Sequence, residues 1–324
     1  MAGLQFGTEA LPMYGRTEPV STNFVHRPKC DLCGSDDNTT ILLSKPFSDP
    51  AVWDFLEQYY EGRIRKVDLE GGSFKIAKCL ACGFIWQSCI LNDTVMDRLY
   101  SEWISADWSL DKKRYGDSSL FSGYARQVEI IAGLVSKKPY EADVLDFGAG
   151  WGYWCLMANA FGYKVKGFEI SAERNAYARN LRIAVIDSFD ALKNHKFDFI
   201  NSEQVFEHVS SPLQVLQSLA DTLKEGGVIR IAVPNGQGIE KELSKPDWKA
   251  TKNATHPLEH INCFTRHTLA NLGQAAGLEL ISAPLIIRRE ESLKAYAKVF
   301  LKAVITGIYR PARGVTLFFR KQGL

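Results

Sequence analysis

The chain has 324 residues, 46% of them hydrophobic and 23% charged, a composition that excludes a wholly disordered or collagen-like polymer. At roughly 100–200 residues per domain, this length allows two domains or one large domain with an appendage. Thirty-nine basic residues against 37 acidic ones leave a formal charge of +2, so no overall field draws the chain onto nucleic acid or anionic lipid. No apolar run approaches the roughly 20 residues that span a bilayer, and the N-terminus lacks a basic-then-apolar signal pattern. The expectation is a cytoplasmic protein without a membrane span.

Residues 1–27 mix Gly, Pro, Thr and Ser with no sustained period and read as a flexible arm. Residues 28–91 form a small module bracketed by two knuckles, Cys30-Asp31-Leu32-Cys33-Gly34 and Cys79-Leu80-Ala81-Cys82-Gly83, with 45 residues between Cys33 and Cys79. Two thiolates in each knuckle, with a glycine that lets the backbone turn back, can surround one zinc ion tetrahedrally. Seven cysteines in a chain with no export signal favour a metal over a disulfide framework. The expected metal ligands are therefore Cys30, Cys33, Cys79 and Cys82, around a structural Zn2+ in a zinc-ribbon-like module. Between the knuckles, Asp49-Pro50 opens a short helix carrying Trp53, Phe55, Leu56, Tyr59 and Tyr60.

Residues 92–138 are rich in aromatics (Tyr100, Trp103, Trp108 and Tyr115) and include a helical spacing over 121–138, an aromatic linker or lid. From residue 139 the pattern alternates strand and helix. Strands are expected at 143–147, 164–169, 183–186, 197–201, 228–233, 278–283 and 316–320, and helices at 153–161, 172–180, 212–224 and 266–276. A further amphipathic stretch covers 291–308. Alternation with short connections is the signature of an α/β fold with a parallel sheet covered on both faces.

The run Val144-Leu145-Asp146-Phe147-Gly148-Ala149-Gly150-Trp151-Gly152 is a buried strand leading into three alternate glycines and then a helix. Glycines at such a turn let a ligand approach the main chain. Dinucleotide folds use Gly-x-Gly-x-x-Gly, whereas here the spacing is Gly-x-Gly-x-Gly, which weakens a pyrophosphate reading. Glu169 ends the next strand, 19 residues beyond Gly150, where a carboxylate can accept both hydroxyls of a ribose.

These residues, with Asp187, Phe197-Asp198-Phe199-Ile200, Val205-Phe206-Glu207-His208-Val209, Leu223-Lys224-Glu225-Gly226-Gly227, Val233-Pro234-Asn235 and Glu259-His260-Ile261-Asn262-Cys263-Phe264-Thr265, resemble the ordered motifs of class I S-adenosylmethionine-dependent methyltransferases. The likeness covers roughly residues 140–321 and is nearest to the small-molecule group that includes the ubiquinone-pathway O-methyltransferases. It implies a Rossmann-like seven-stranded sheet over 139–324. It also implies that Gly148, Gly150 and Gly152 wrap the methionine part of S-adenosyl-L-methionine, that Asp146 orders the turn or reaches the amino group, that Glu169 holds the ribose, that Asp187 lies near the adenine and that Gln204 lies on the cofactor side. In the ubiquinone-pathway relatives a Glu-x-x-Glu-His cluster accompanies a divalent cation. Gln204 stands at its first Glu position here, which removes one hard ligand.

Methyl transfer from a sulfonium requires alignment of an acceptor and removal of its proton, and a histidine suits the second task. His208 follows the fourth strand at the carboxyl edge of the sheet, and the resemblance places the loop of His260 over the acceptor pocket. His208 and His260, with the adjacent Glu207, are the expected catalytic group. His256-Pro257-Leu258-Glu259-His260 also spells a zinc-peptidase pattern, but Pro257 argues against the helix interior which that pattern needs. Zinc-ribbon modules precede some class I methyltransferases that act on sugars or other metabolites. The expected reaction is therefore methylation of a hydroxyl on a small metabolite or saccharide. Alternatives are a zinc-ribbon-guided RNA methyltransferase and a non-catalytic cofactor-binding protein. Asp93, Asp97, Glu102, Asp107 and Asp111 beside the knuckles count against a nucleic-acid partner.

Overall fold

Alternating buried strands and helices assemble into a seven-stranded sheet, whose strands are β1 (Asp143–Phe147), β2 (Lys164–Phe168), β3 (Ala184–Ile186), β4 (Phe197–Glu203), β5 (Leu223–Pro234), β6 (Leu278–Ile281) and β7 (Gly314–Lys321). The computed structural model describes residues 19–21, 23–283 and 314–322. The expected amphipathic stretch at 291–308 lies outside the described residues. The strand order is β6-β7-β5-β4-β1-β2-β3, with β7 antiparallel to both neighbours and the other pairs parallel. This is the Rossmann-like methyltransferase sheet expected from the sequence.

Central strands are buried along their length because both faces are covered; β4 is buried from Phe197 through Ser202, polar side chains included. Helices Tyr153–Ala160, Ala172–Asn180, Pro212–Thr222 and Arg266–Ala275 match the expected ones with small changes at their ends. The helix expected over 212–224 stops at Thr222, because Leu223 takes an extended backbone and opens β5. The chain leaves β1 toward β2 and β3 on one side and returns to β4 and β5 on the other. Between β1 and β4 the order reverses, and open α/β sheets bind ligands in the crevice at the carboxyl ends of strands at such a switch point.

The N-terminal residues build a second sheet from Thr39–Pro46, Ser73–Cys79 and Ile85–Gln87. Its fourth strand, Asn262–Cys263, comes from a loop of the main sheet and pairs with Ile85–Gln87. Phe24–His26 pairs with Cys89–Leu91, and Phe24 is fully buried. Helix Pro50–Tyr59 starts where the Asp49 side chain accepts the Ala51 amide proton at 2.8 Å, and it buries Val52, Trp53 and Leu56. These side chains share one apolar core with Ile239, Leu243, Trp248, Leu258 and Ile261. Each such burial contributes about 1.5–3 kcal/mol before chain entropy is counted. The loop at 239–263 is therefore folded as part of the N-terminal core.

The amino end of β4 is fixed by charge. Asp198 accepts from Lys137 Nζ at 2.7 Å, Lys224 Nζ at 2.8 Å and the Asp143 amide at 2.9 Å. Burial alone would raise this carboxyl, but these bonds outweigh it and hold Asp198 below its usual range. A carboxyl depressed in the fold stabilises above its unfolded pKa, about 3.9, and loses that contribution as pH falls through its folded value. Both lysines keep solvent contact, so Asp198→Ala is expected to cost about 1–2 kcal/mol at pH 7. In urea unfolding the deficit should stay level from pH 8 to 5 and shrink below pH ~4; a deficit unchanged at pH 3 would contradict the assignment.

Candidate active site

The turn after β1 needs three left-handed residues in five, with φ of 80° at Gly148, 54° at Gly150 and 82° at Gly152. A Cβ on Gly148 would lie 2.4 Å from Val205 Cγ2, and one on Gly152 would lie 2.4 Å from Ile183 Cδ1. Around Gly150 the same direction is open for 4 Å. Two of these glycines are thus required by packing, and the third leaves a free approach to the main chain. The turn is tied to the end of β2: Gly148 and Ala149 amides both donate to the Phe168 carbonyl at 2.9 Å. Glu169 completes the tie, accepting from the Gly150 amide at 2.9 Å through Oε2 and from the Ser171 amide at 2.9 Å through Oε1. Each carboxylate oxygen keeps further lone-pair capacity for hydroxyl donors.

Asp146 lies under this turn. It is 4% exposed, accepts from Asn201 Nδ2 at 2.7 Å, and is pushed up to about 7 chiefly by burial. Asn201 Oδ1 in turn accepts from Arg230 Nη1 at 2.8 Å, and Arg230 pairs with Glu203. The four side chains form a polar row across β1, β4 and β5, set by the register Asp146↔Asn201↔Arg230. Asp187 stands farther out, half exposed and paired with Arg179 at 2.9 Å. Ile170, 62% exposed directly after Glu169, is an apolar surface on the same edge that sequence reading did not single out.

Beyond β4 the backbone turns sharply. Gln204 holds φ 57°, unusual for a non-glycine residue, while its amide donates to the Ala232 carbonyl at 2.8 Å. Its side-chain Nε2 lies 3.5 Å from the same carbonyl. The bend sends Phe206–His208 across the carboxyl end of the sheet. There the structure brings together the three expected catalytic side chains: one ligand-type atom from each of Glu207, His208 and His260 lies within 4.8 Å of the others. His208 Nδ1 is 2.8 Å from the Glu259 carbonyl, and His260 Nδ1 is 2.6 Å from the Asn253 carbonyl. A carbonyl accepts only, so both rings carry their proton on Nδ1 and present a bare Nε2 lone pair. Burial pushes both imidazoles well below their usual pKa and keeps them neutral.

Glu207 is 1% exposed, and neither carboxyl oxygen has a hydrogen-bond partner among the described residues. Burial pushes it up to about 8. Its Oε1 lies 3.8 Å from the neutral His208 Nε2. The oxygen-rich set of a hard divalent cation is not reproduced here: Gln204 faces Ala232, and Glu207 is the one carboxylate among these three donors. The arrangement does not fit that ion.

Sequence reading missed the second layer. Tyr60 donates to Glu259 Oε1 at 2.9 Å, His256 packs 4.6 Å from the Tyr59 ring and 5.3 Å from the His260 ring, and the Tyr100 hydroxyl reaches His208 Nδ1 at 3.2 Å. The sequence signals here were the aromatic lid that includes Tyr100 and the spacing His256-x-x-Glu259-His260, whose helical form the structure excludes because Leu258 has φ 70°. Tyr100 sits on the π-helical turn Leu99–Trp103, and Trp151 Nε1 donates to Ser109 at 2.9 Å. The aromatic segment therefore touches both the histidines and the glycine turn. A cavity of about 300 Å³ lined by Tyr59, Tyr60, Arg63, Trp103 and Trp108 lies beside them.

The four expected thiols also converge. Cys30 and Cys82 sulfurs are 3.5 Å apart, Cys33 and Cys79 sulfurs 3.6 Å, and all four lie within 4.8 Å of one another. Four sulfurs at ~2.3 Å from a central zinc stand about 3.8 Å apart, so the spacing suits a tetrahedral ion. Each knuckle closes identically, with the Gly34 amide donating to the Cys30 carbonyl and the Gly83 amide to the Cys79 carbonyl.

The profile of a family described as the methyltransferase domain matches residues 119–283, which is 165 of the 324 residues. The chain belongs to this methyltransferase family. Among curated relatives, the ubiquinone biosynthesis O-methyltransferase of Glaesserella parasuis serovar 5 (strain SH0165) is 33% identical over 117 residues, 32% of this chain. The match spans 48% of that relative, about half its length. Among solved structures, a SAM-dependent methyltransferase from Archaeoglobus fulgidus matches 67% of this chain and 100% of its own, at 17% identity and a TM-score of 0.42. An S-adenosylmethionine-dependent methyltransferase from Mesorhizobium loti matches 62% and 100% respectively, at 17% identity and a TM-score of 0.43. Among the described residues, no helix is long and apolar enough to cross a membrane.

A carboxyl whose folded pKa is raised favours the fold most below its unfolded value, about 4.3, and that contribution is lost as pH rises through the folded value. For Glu207 the window runs from there to about 8. Glu207→Gln removes the ionisable group, so in metal-free buffer the variant is expected to gain on the wild type as pH rises from 5 to 8, by about 1–3 kcal/mol. A stability difference that does not change between pH 5 and pH 8 would contradict the burial argument.

Proposed function

We propose that the chain transfers the methyl group of S-adenosyl-L-methionine to a hydroxyl of a small metabolite or saccharide, with His208 or His260 taking the acceptor's proton. The observation that carries this reading is the pair of bare Nε2 lone pairs at the carboxyl edge of β4, on the same sheet edge as a glycine turn open at Gly150. When bound, the cofactor supplies an electrophilic methyl on a sulfonium. Gly150 allows close approach, Glu169 takes the ribose hydroxyls, and Asp146, near the carboxyl end of β1, holds the turn from below. Asp187 and Ile170 flank the adenine side, with Gln204 at the turn between the two halves of the site.

On the acceptor side, the neutral imidazoles offer Nε2 lone pairs to the acceptor's proton; burial opposes the imidazolium that results, and Glu207, close to His208 Nε2, offsets that charge once it is ionised. The aromatic cavity at Tyr59, Trp103 and Trp108 offers ring faces for a saccharide or flat metabolite, and Arg63 and Glu61 at its wall offer hydrogen bonds. In this reading residues 28–91 are a module built on a structural zinc held by Cys30, Cys33, Cys79 and Cys82, residues 92–138 cover the site, and residues 139–324 form the catalytic domain. Reduced thiols at the knuckles go with a cytoplasmic location.

Calorimetry with S-adenosylhomocysteine tests the cofactor half. Saturable binding is expected for the wild type. It should vanish in Gly150→Arg, where the open direction leaves room for the side chain and the left-handed backbone costs only about 1–2 kcal/mol. In Glu169→Ala it should weaken by roughly tenfold, the worth of hydrogen bonds to a charged acceptor. No heat of binding at high micromolar ligand would contradict the reading.

A further inference from the structure

Arg27 is 7% exposed and lies at the junction of three segments that are far apart in sequence. A guanidinium has five N–H donors in a fixed plane, and all are engaged here. Nε donates to Asp31 Oδ2 at 3.0 Å, and Nη2 donates to the same oxygen. Nη1 donates to the carbonyls of Gln87 at 3.4 Å and Ile261 at 3.1 Å. Nη2 also donates to the Ser210 carbonyl at 3.0 Å and to Asn262 Oδ1 at 2.8 Å.

Each contact leads somewhere. Asp31 lies inside the first cysteine knuckle. Ser210 follows His208 by two residues, while Ile261 and Asn262 follow His260 directly. Asn262, oriented by Arg27, passes the constraint on: its Nδ2 donates to the carbonyls of Phe206 at 2.9 Å and of Val209, which flank Glu207 and His208. From the same module, Gln87 Nε2 donates to the carbonyls of His256 at 3.0 Å and His260 at 2.9 Å. One buried side chain thus grips both backbone segments that carry the paired imidazoles and anchors them to the knuckle.

We infer that Arg27 is a positioning residue that sets the separation and aim of His208 and His260, and that the cysteine knuckle acts on the active site through the Asp31–Arg27 pair. This rests on the reading of those histidines as the acceptor-side group. A displacement of about 1 Å at a reacting group costs on the order of a hundredfold in rate, so the N-terminal module would shape the reaction without touching the reactants. Lysine cannot replace the guanidinium, because it offers three donors on a flexible stem in place of a planar fork.

The test uses uniformly 15N-labelled full-length protein and the long-range 15N–1H imidazole signals, assigned with His208→Gln and His260→Gln. In Arg27→Lys, the His208 and His260 signals are expected to shift or broaden, while those of His195 and the exposed His267 stay in place. Bound zinc should be retained, and S-adenosylhomocysteine affinity should remain within twofold, because the glycine turn is not gripped by Arg27. In Asp31→Asn, which removes the anchor's charge at a more exposed residue, the same two signals should move less. Unmoved His208 and His260 signals in folded Arg27→Lys would overturn the proposal. If that variant does not fold, unmoved signals in Asp31→Asn overturn it. Absence of S-adenosylhomocysteine binding in the wild type would instead count against the methyl-transfer reading, and the imidazole signals would still decide the role of Arg27.

Discussion

The bond between the Gly150 amide and the Glu169 carboxylate is the constraint on which the rest of the site depends. It joins the ends of β1 and β2 through a turn that only glycines can follow, with the Phe168 carbonyl taking the two preceding amides. A turn closed in this way has its backbone amides already engaged and its conformation set, so little ordering remains to be done on binding. The polar row from Asp146 to Glu203 supports it from below, and it can remain buried because each member has a partner across the register of three strands. The contrast with Glu207 is instructive. A buried carboxyl with no hydrogen-bond partner is costly to keep, and it is found where two imidazoles converge.

The opposite wall is built by a different part of the chain. The loop at 239–263 leaves the main sheet, contributes a strand to the N-terminal sheet and shares its apolar core. His260 and Glu259 are therefore held by N-terminal packing, whereas His208 and Glu207 are held by the bend after β4. Asn262 and Arg27 connect the two segments. In the proposed reading, the acceptor side is thus packed on the N-terminal core while the cofactor side is held within the main sheet.

The geometry of the glycine turn was legible in the sequence because its signals are local. Glycines at 148, 150 and 152 after a buried strand, and a carboxylate ending the next strand, follow from chemistry within some 25 residues. The two Cys-x-x-Cys-Gly knuckles were equally plain, each being a complete local turn. Tyr60 and Arg27 were not legible as site residues, since their roles arise from contacts spanning up to 235 positions, as in Tyr60 with Glu259 and Arg27 with Asn262. No periodicity encodes such distances. Asp187 shows the reverse limit: its place after β3 is as read, but its carboxylate is engaged by Arg179 at the surface. The end of the helix at Thr222 was misplaced by two residues because Leu223 and Lys224 suit a helix locally and are taken by β5.

The most direct measurement of the central claim is a crystal structure of the chain grown with S-adenosylhomocysteine. The account predicts the adenosyl group in the crevice between β1 and β2, with both ribose hydroxyls on Glu169, the main chain of Gly150 against the ligand, and the sulfur directed toward His208 and His260. Ligand density elsewhere, or a dinucleotide lying across that edge with its pyrophosphate on the turn, would contradict it.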